Sequence, residues 1–182
     1  MAFDTGPGNM LIDMAAQLVH KRYDAGGRMA LRGQPNHVWV KNMLATHPFF
    51  QLRPPKSTGR DAFRLSKMPN MAHADLMATV SELTVQSVKH AMQYLPKSYA
   101  KTPLLVSGGG SKNAYLLEGL GATPAAHSQM LEAEAFAFLG FQSLRGRALG
   151  GKATGARRMA SPGWITPGRN WAQVHELIGA YL

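Results

Sequence analysis

A short apolar run, Pro103-Leu104-Leu105-Val106-Ser107, gives way to three consecutive glycines, Gly108 to Gly110. An apolar run without alternation reads as a buried strand, since a strand covered on both faces has no polar side to show. The glycines then make a tight turn, and the next helix begins at Ser111 or Asn113. Strand, turn and helix in that order are the repeating unit of α/β domains. This one unit therefore places the chain in the α/β class more firmly than any other stretch does.

Most of the remaining chain reads as helix. Asn9 is placed to cap a first helix, with Leu11, Met14, Ala15 and Leu18 along one face. Asp24-Ala25-Gly26-Gly27 reads as a turn, and Val38 to Leu44 as a short helix ending near His47-Pro48. The longest helix is predicted over Met71 to Leu95. Leu76, Val80, Leu83, Ser87 and Ala91 line its face, and Pro96 stops it. Its stripe is expected to need a sheet to cover it. Leu131 to Leu144, rich in alanine and phenylalanine, is predicted to be a buried helix, and Arg145 to Gly168 a glycine-rich loop. Asn170 can cap a last helix carrying Trp171, Val174, Leu177 and Ile178, with Gln173 as its capping-box partner. Met1 to Phe3 reads as the tail of a strand. Helices thus outnumber strands by more than a self-contained α/β sheet would allow, and the expectation is a part of a larger α/β domain.

The 182 residues have no cysteine, which excludes disulfides and thiolate metal sites. No apolar run approaches the roughly 18 residues of a membrane span. The start of the chain, with an early Asp4 and neither a basic nor an apolar leader segment, argues against a secretory signal and makes the cytoplasm the default compartment. The net charge of +10 raises the question of nucleic acid. Its residues are scattered in ones and twos, as at Lys21-Arg22 and Arg157-Arg158, and form no basic stripe interleaved with aromatics. The seven histidines show no metal-ligand spacing, and the methionines read as packing residues.

Four segments could carry chemistry. In Phe3-Asp4-Thr5-Gly6-Pro7-Gly8-Asn9, a strand end feeds a helix N-terminus, whose free N–H groups favour a phosphate. Asp4 there could take a proton, hold Mg²⁺ through water, or simply cap the turn. The Gly108-Gly109-Gly110 turn, with Asn113 after it, offers a bare surface to a flat ring or a phosphate, or is only a tight turn. Lys56 and Arg60, in the loop Arg53 to Arg60, could hold phosphate or sugar groups, or be surface residues of a loop shaped by two prolines. Glu132 could reach a substrate or metal, or favour the start of its own helix.

These strings, taken in order, resemble the anhydro-N-acetylmuramic acid kinases. The matching residues are Phe3-Asp4-Thr5-Gly6-Pro7-Gly8-Asn9 with Asp13, Asp24-Ala25-Gly26-Gly27, His47-Pro48-Phe49-Phe50 and Pro54-Pro55-Lys56-Ser57-Thr58-Gly59-Arg60-Asp61-Ala62-Phe63. Val106-Ser107-Gly108-Gly109-Gly110 with Asn113, Glu132-Ala133-Glu134-Ala135-Phe136-Ala137, Thr154-Gly155-Ala156 and Pro167-Gly168 follow. Levoglucosan kinases share much of the pattern. The resemblance implies the C-terminal lobe of an actin-like, ribonuclease-H-like two-lobed kinase, occupying residues 1–182 as a single domain with an incomplete sheet packed by helices. It implies ATP and Mg²⁺ as cofactors and an amino-sugar substrate. That substrate's 1,6-anhydro ring is opened by water and O6 phosphorylated, giving N-acetylmuramic acid 6-phosphate in cell-wall recycling. By the same resemblance Asp4 is the general base, and Gly108, Gly109, Gly110 and Asn113 face the nucleotide. Glu132 aligns with a Glu near the sugar or metal, and with Lys56 and Arg60 of the proline loop it is expected to bind the substrate. A separate N-terminal lobe and a homodimer at full length are the implied protein partners.

Several family features are missing from these residues. There is no GTSxDGxD-like phosphate loop and no GGxAN segment, and Leu149 to Ala156 replaces the usual NLPxVTGA string. Gln129 stands where the family has an acidic residue three before Glu132. A non-catalytic nucleotide- or partner-binding module is therefore the rival expectation. The scattered charge yields a direct test. DNA and RNA should bind only weakly, without sequence preference, and be released by physiological salt in a filter-binding titration.

Overall fold

The computed structural model describes residues 2–65, 68, 70–151 and 154–179, with only the backbone described at Arg60. The strand predicted over Met1 to Phe3 falls partly outside the described residues. At Ala2 and Phe3 the chain is irregular. Backbone contacts divide the chain into two compact units, one of Phe3–Gln129 and one that groups the residues before Phe3 with those from Met130 onward.

The first unit is organised by one helix. Helix α1 (Met10–Gln17), α2 (His37–Thr46) and the short α3 (Pro48–Gln51) precede it, and α4 itself spans His73–Ala91. Every residue of α4 from Met77 to Val85 is buried. A helix covered on all sides must have neighbours on all sides. Here they are α1, α2, α5 and a 3-10 turn at Ala30–Arg32. The sequence predicts a sheet over the α4 stripe. The structure covers it with helices and turns instead, so α4 is the centre of the unit rather than the outer layer of a sheet. Leu11, Ile12, Val40, Phe50, Phe63 and Leu116 close around Met77, Val80, Leu83 and Val85 to form the core. After Ala91 the chain tightens into a 3-10 turn, Met92–Tyr94, before Pro96.

The strand–turn–helix unit is present and smaller than expected. Strand β1 (Leu105–Val106), helix α5 (Ala114–Leu120) and strand β2 (Thr123–Pro124) form a parallel pair with a helix between. Thr123 N–H donates to Leu104 O at 3.0 Å, and Ala125 N–H to Val106 O at 2.9 Å. The first strand is not buried as predicted, for Leu105 is 60% exposed. Among the described residues β1 has a single strand neighbour, and a two-residue ladder cannot cover both of its faces. The chain is thus a helix-rich α/β arrangement with a small parallel sheet.

The second unit holds α6 (Leu131–Leu144) and α7 (Trp171–Gly179). Between them an antiparallel bridge joins Leu149 and Ala160 through bonds of 2.7 and 2.9 Å. Helix α6 is also not buried as predicted. Phe136 is 66% and Phe138 55% exposed, and only Gln142 and Ser143 near its C-terminal end are fully covered. Its apolar residues lie on all sides instead of in one stripe, so no single packing surface could cover them. No helix among the described residues is long and apolar enough to cross a membrane.

Truncating the centre of α4 should expose how far the unit depends on it. Leu83→Ala is expected to cost about 2 to 5 kcal/mol, the range for a large buried aliphatic side chain, read as a lowered midpoint in a urea melt.

Candidate functional site

Asp4 sits where two of the sequence strings meet. Its backbone N–H donates to Lys56 O at 3.0 Å. Its carboxylate Oδ2 accepts from Thr58 N–H at 2.8 Å and from Ser57 Oγ at 3.1 Å. Residues 53 apart in sequence are thus locked together, and the two bonds fix the orientation of an exposed carboxylate. Oδ1 carries no hydrogen bond among the described residues.

Lys56 turns the other way. Its Nζ donates to Phe49 O at 3.1 Å and lies 4.5 Å from the Phe49 ring centre, so the ammonium is spent on an inward contact. Burial lowers its pKa below the ordinary lysine value. The side chain of Arg60 lies outside the described residues. Glu132, in the first turn of α6, is exposed and belongs to the second unit.

The loop after Asp4 is held from behind by α4. Thr84 Oγ1 donates to Gly8 O at 2.8 Å. Asn9 does not cap α1 as predicted, because its backbone is already helical (φ −77°, ψ −9°) and its side chain makes no cap bond. A capping residue needs an extended backbone for its side chain to reach the second or third N–H. The Asn9 amide lies beside the glycine turn instead. A methyl group at Gly109 or Gly110 would stand 3.6 Å from it.

The glycine turn is tied down by its own polar neighbours. Gly108 O accepts from Ser111 Oγ at 2.7 Å and from Gln129 Nε2 at 3.0 Å, and Gly108 N–H donates to Ser128 O at 2.8 Å. Asn113, extended in backbone, caps α5 by accepting from Leu116 N–H at 3.3 Å. Asp24 is buried, and its two oxygens accept from Met29 N–H at 2.9 Å and Ala30 N–H at 3.0 Å. That carboxylate holds Gly26 and Gly27 in place. Gly27 has φ +73°, and a side chain there would run into Asn113 Oδ1 and stand 3.0 Å from Tyr115 N.

These segments enclose a cavity of about 330 Å³. Asn9, Ile12 and Asp13 form one wall, Gly109, Lys112 and Asn113 another, with Tyr23, Asp24, Gly26 and Gln129 completing it. The first and second sequence motifs are therefore brought together, as are Asp4 and the Lys56 loop. Gly109 and Asn113 line the cavity, while Gly108 and Gly110 shape the turn behind it. Asp4 is not among the lining residues. The cavity roles of Lys112 and Gln129 carried no sequence signal, and Asp24 could have been read from an acid placed before a Gly-Gly turn.

Under the cavity runs a second polar link. Glu82 of α4 is 8% exposed and accepts from Tyr115 OH at 3.0 Å and from Gln86 Nε2 at 2.7 Å. Burial first, then the Glu82 charge and the hydrogen bond to it, raise the Tyr115 pKa.

The family model described as anhydro-N-acetylmuramic acid kinase matches residues 1–168. Curated proteins of that name are similar to this chain. The one from Acidithiobacillus ferrooxidans is 37% identical, over 94% of this chain and 48% of its own length. That of Nitrobacter winogradskyi is 35% identical, over 85% and 44%, and that of Gloeobacter violaceus 39% identical, over 66% and 34%. The chain spans about half the length, or less, of the curated relatives it matches.

The tyrosine link makes a pH prediction. A phenol whose folded pKa is raised holds its proton after the unfolded one has lost it. Its contribution is full below pH about 10 and lost as pH climbs through the folded value. Lys56, with a lowered pKa, acts in the opposite sense as pH rises toward the ordinary lysine value. Comparison with Tyr115→Phe cancels the Lys56 effect. Stability measured by urea melts from pH 9 to 11 should fall more steeply with pH in the wild type than in Tyr115→Phe.

Proposed function

The chain belongs to the anhydro-N-acetylmuramic acid kinase family, and from that premise we propose that it forms the nucleotide- and sugar-facing half of an ATP-dependent sugar kinase with the actin-like, ribonuclease-H-like two-lobed fold. The observation that carries this reading is the meeting of Asp4 with Ser57 and Thr58, since it joins the two most family-specific strings at one oriented carboxylate. The substrate is a 1,6-anhydro amino sugar, and the setting is cell-wall recycling in the cytoplasm. A lobe equivalent to the N-terminal half of the relatives completes the cleft, and the completed protein is a homodimer.

The cavity suits a nucleotide. Its volume lies at the lower end of the roughly 300 to 1,000 Å³ of ligand pockets. Bare Gly109 allows close approach, and Lys112 supplies a cation for phosphate. Among the described residues no cluster of three acidic or histidine ligands exists. Mg²⁺ asks for less, taking one or two carboxylates beside the nucleotide's own phosphates, and Asp13 on the cavity wall would be its protein ligand. Bound there, the Mg²⁺ nucleotide supplies the phosphoryl group and the charge neutralisation that such a transfer needs.

The chain's own part in the chemistry falls to Asp4. Ser57 and Thr58 hold Oδ2, which leaves Oδ1 to take a proton from water. As that water adds to C1 of the sugar, the C1–O6 bond breaks and its electrons stay on O6. O6 would then accept the γ-phosphoryl group, and the bond from that phosphorus to the bridging oxygen would break, its electrons leaving with the nucleoside diphosphate. Asp4 ends the step protonated and returns the proton to solvent.

These 182 residues contain no GTSxDGxD-like string, so alone they should show no turnover in an ATP-coupled assay with 1,6-anhydro-N-acetylmuramic acid. Co-expression with the N-terminal half of the Acidithiobacillus ferrooxidans relative should restore it. In that complex Asp4→Asn should lower kcat by about 10² to 10⁴-fold with ATP affinity unchanged. Near-normal kcat in Asp4→Asn would reduce Asp4 to a turn-fixing residue and overturn the assignment.

A further inference from the structure

The two walls of the cavity lean on the same stretch of α4. Thr84 holds the first wall through Gly8 O at 2.8 Å. Glu82, two residues earlier, holds the second wall through Tyr115 OH at 3.0 Å. Tyr115 follows Asn113 by two residues, and its own backbone N lies against Gly27. This hydroxyl–carboxylate bond therefore ties the start of α5 to α4, beside the Asn113 and Gly109 side of the cavity.

Between α4 and α5 themselves, no other bond of fixed direction joins the described side chains at this end of the helix. Helix α5 approaches α4 closely at Gly119, where a methyl group would sit 2.8 Å from Val85 Cγ2. Gly119 lies at the far end of α5 from the cavity, so it acts as a pivot and fixes the distance of the helix but not its swing. At the near end Leu116 is buried, yet an apolar contact has no preferred direction. A buried hydrogen bond does have one, and a buried carboxylate left without its donor is costly. Glu82 is also set from its other sides. Gln86 Nε2 donates to Oε1 at 2.7 Å, and His37 Nδ1 of α2 stands 3.9 Å from Oε1. The acceptor is thus held still on α4, and the movable partner is α5.

We infer that Glu82 and Tyr115 are positioning residues, a clamp that sets the second wall of the cavity against the first and so fixes its affinity for a nucleotide. The inference rests on the reading of that cavity as the nucleotide site. Neither residue touches the ligand. Both act through Asn113 and the glycine turn.

Calorimetry with the non-hydrolysable nucleotide AMP-PNP and Mg²⁺, together with backbone hydrogen exchange of the free chain, tests it. Tyr115→Phe removes one oxygen and keeps the ring. It should weaken AMP-PNP about tenfold and raise exchange across residues 109–116, while exchange in α1 and the centre of α4 stays as in wild type. Glu82→Gln should stay within about twofold of wild type, because an amide can still accept from Gln86 and donate to the Tyr115 oxygen. Glu82→Leu can do neither and should match Tyr115→Phe. A role in general stability alone would instead raise exchange throughout the unit. Equal AMP-PNP affinity and equal exchange over residues 109–116 in wild type and Tyr115→Phe would overturn the clamp. If wild type binds no AMP-PNP either alone or in complex with the N-terminal half of the Acidithiobacillus ferrooxidans relative, the nucleotide reading of the cavity fails. The exchange comparison then still decides whether the clamp sets the wall.

Discussion

A buried helix that carries polar side chains is held by the partners they find, and four of those on α4 find theirs in distant parts of the chain, two of them in segments that build the site. Asp75 accepts from Gln34 N–H at 2.7 Å and Thr79 from Asn36 N–H at 3.0 Å. Glu82 accepts from Tyr115, and Thr84 donates to Gly8 O. The partners lie between 33 and 76 residues away along the chain. Apolar burial around Met77, Val80, Leu83 and Val85 supplies the driving force, roughly 25 cal/mol per Å² covered. It cannot say which loop goes where, because it has no direction. The hydrogen bonds can.

Because the bonds are directional, the segments they hold are the ones that chemistry needs held. The Asp4 loop reaches Lys56, Ser57 and Thr58 on one side, and Thr84 on the other. Asp24 fixes the Gly26-Gly27 turn with both oxygens, which lets Asn113 approach. Apart from α1, which carries Ile12 and Asp13, the cavity wall is built of short, irregular segments. The site is a set of loops made rigid by one helix, the usual division between a stable scaffold and functional loops.

The helices were legible from sequence because burial imposes a period. The stripe of α4, the Pro96 stop and the Asn113 cap at α5 are each local signals with local causes. The site strings were legible by resemblance, yet their geometry was not. Nothing in residues 3–9 says that Asp4 will meet Thr58, since a contact over 54 residues has no period. Asn9 looked like a cap because of its residue type, but capping is decided by backbone shape, and its backbone is already helical. Helix α6 looked buried because of its composition, but burial follows from a stripe, and Leu131–Leu144 has none. The strand before the glycines looked central because it is apolar, whereas centrality requires neighbours on both sides, and β1 has β2 alone among the described residues.

Lys56 shows how the same residue type can serve either reading. In the sequence it is a cation in a loop that carries the family's signature, which suggests a sugar or phosphate contact. In the structure its ammonium caps the Phe49 carbonyl and lies over the Phe49 ring, inside the core that Phe49, Phe50 and Phe63 form with the stacked His47 ring. Its backbone oxygen at the same time receives the Asp4 N–H. A lysine so placed cannot reach a ligand without vacating a buried carbonyl, which would cost more than an exposed charge gains. Its service to the site runs through the main chain: by burying its side chain it anchors residues 56–58, and those residues hold the Asp4 carboxylate.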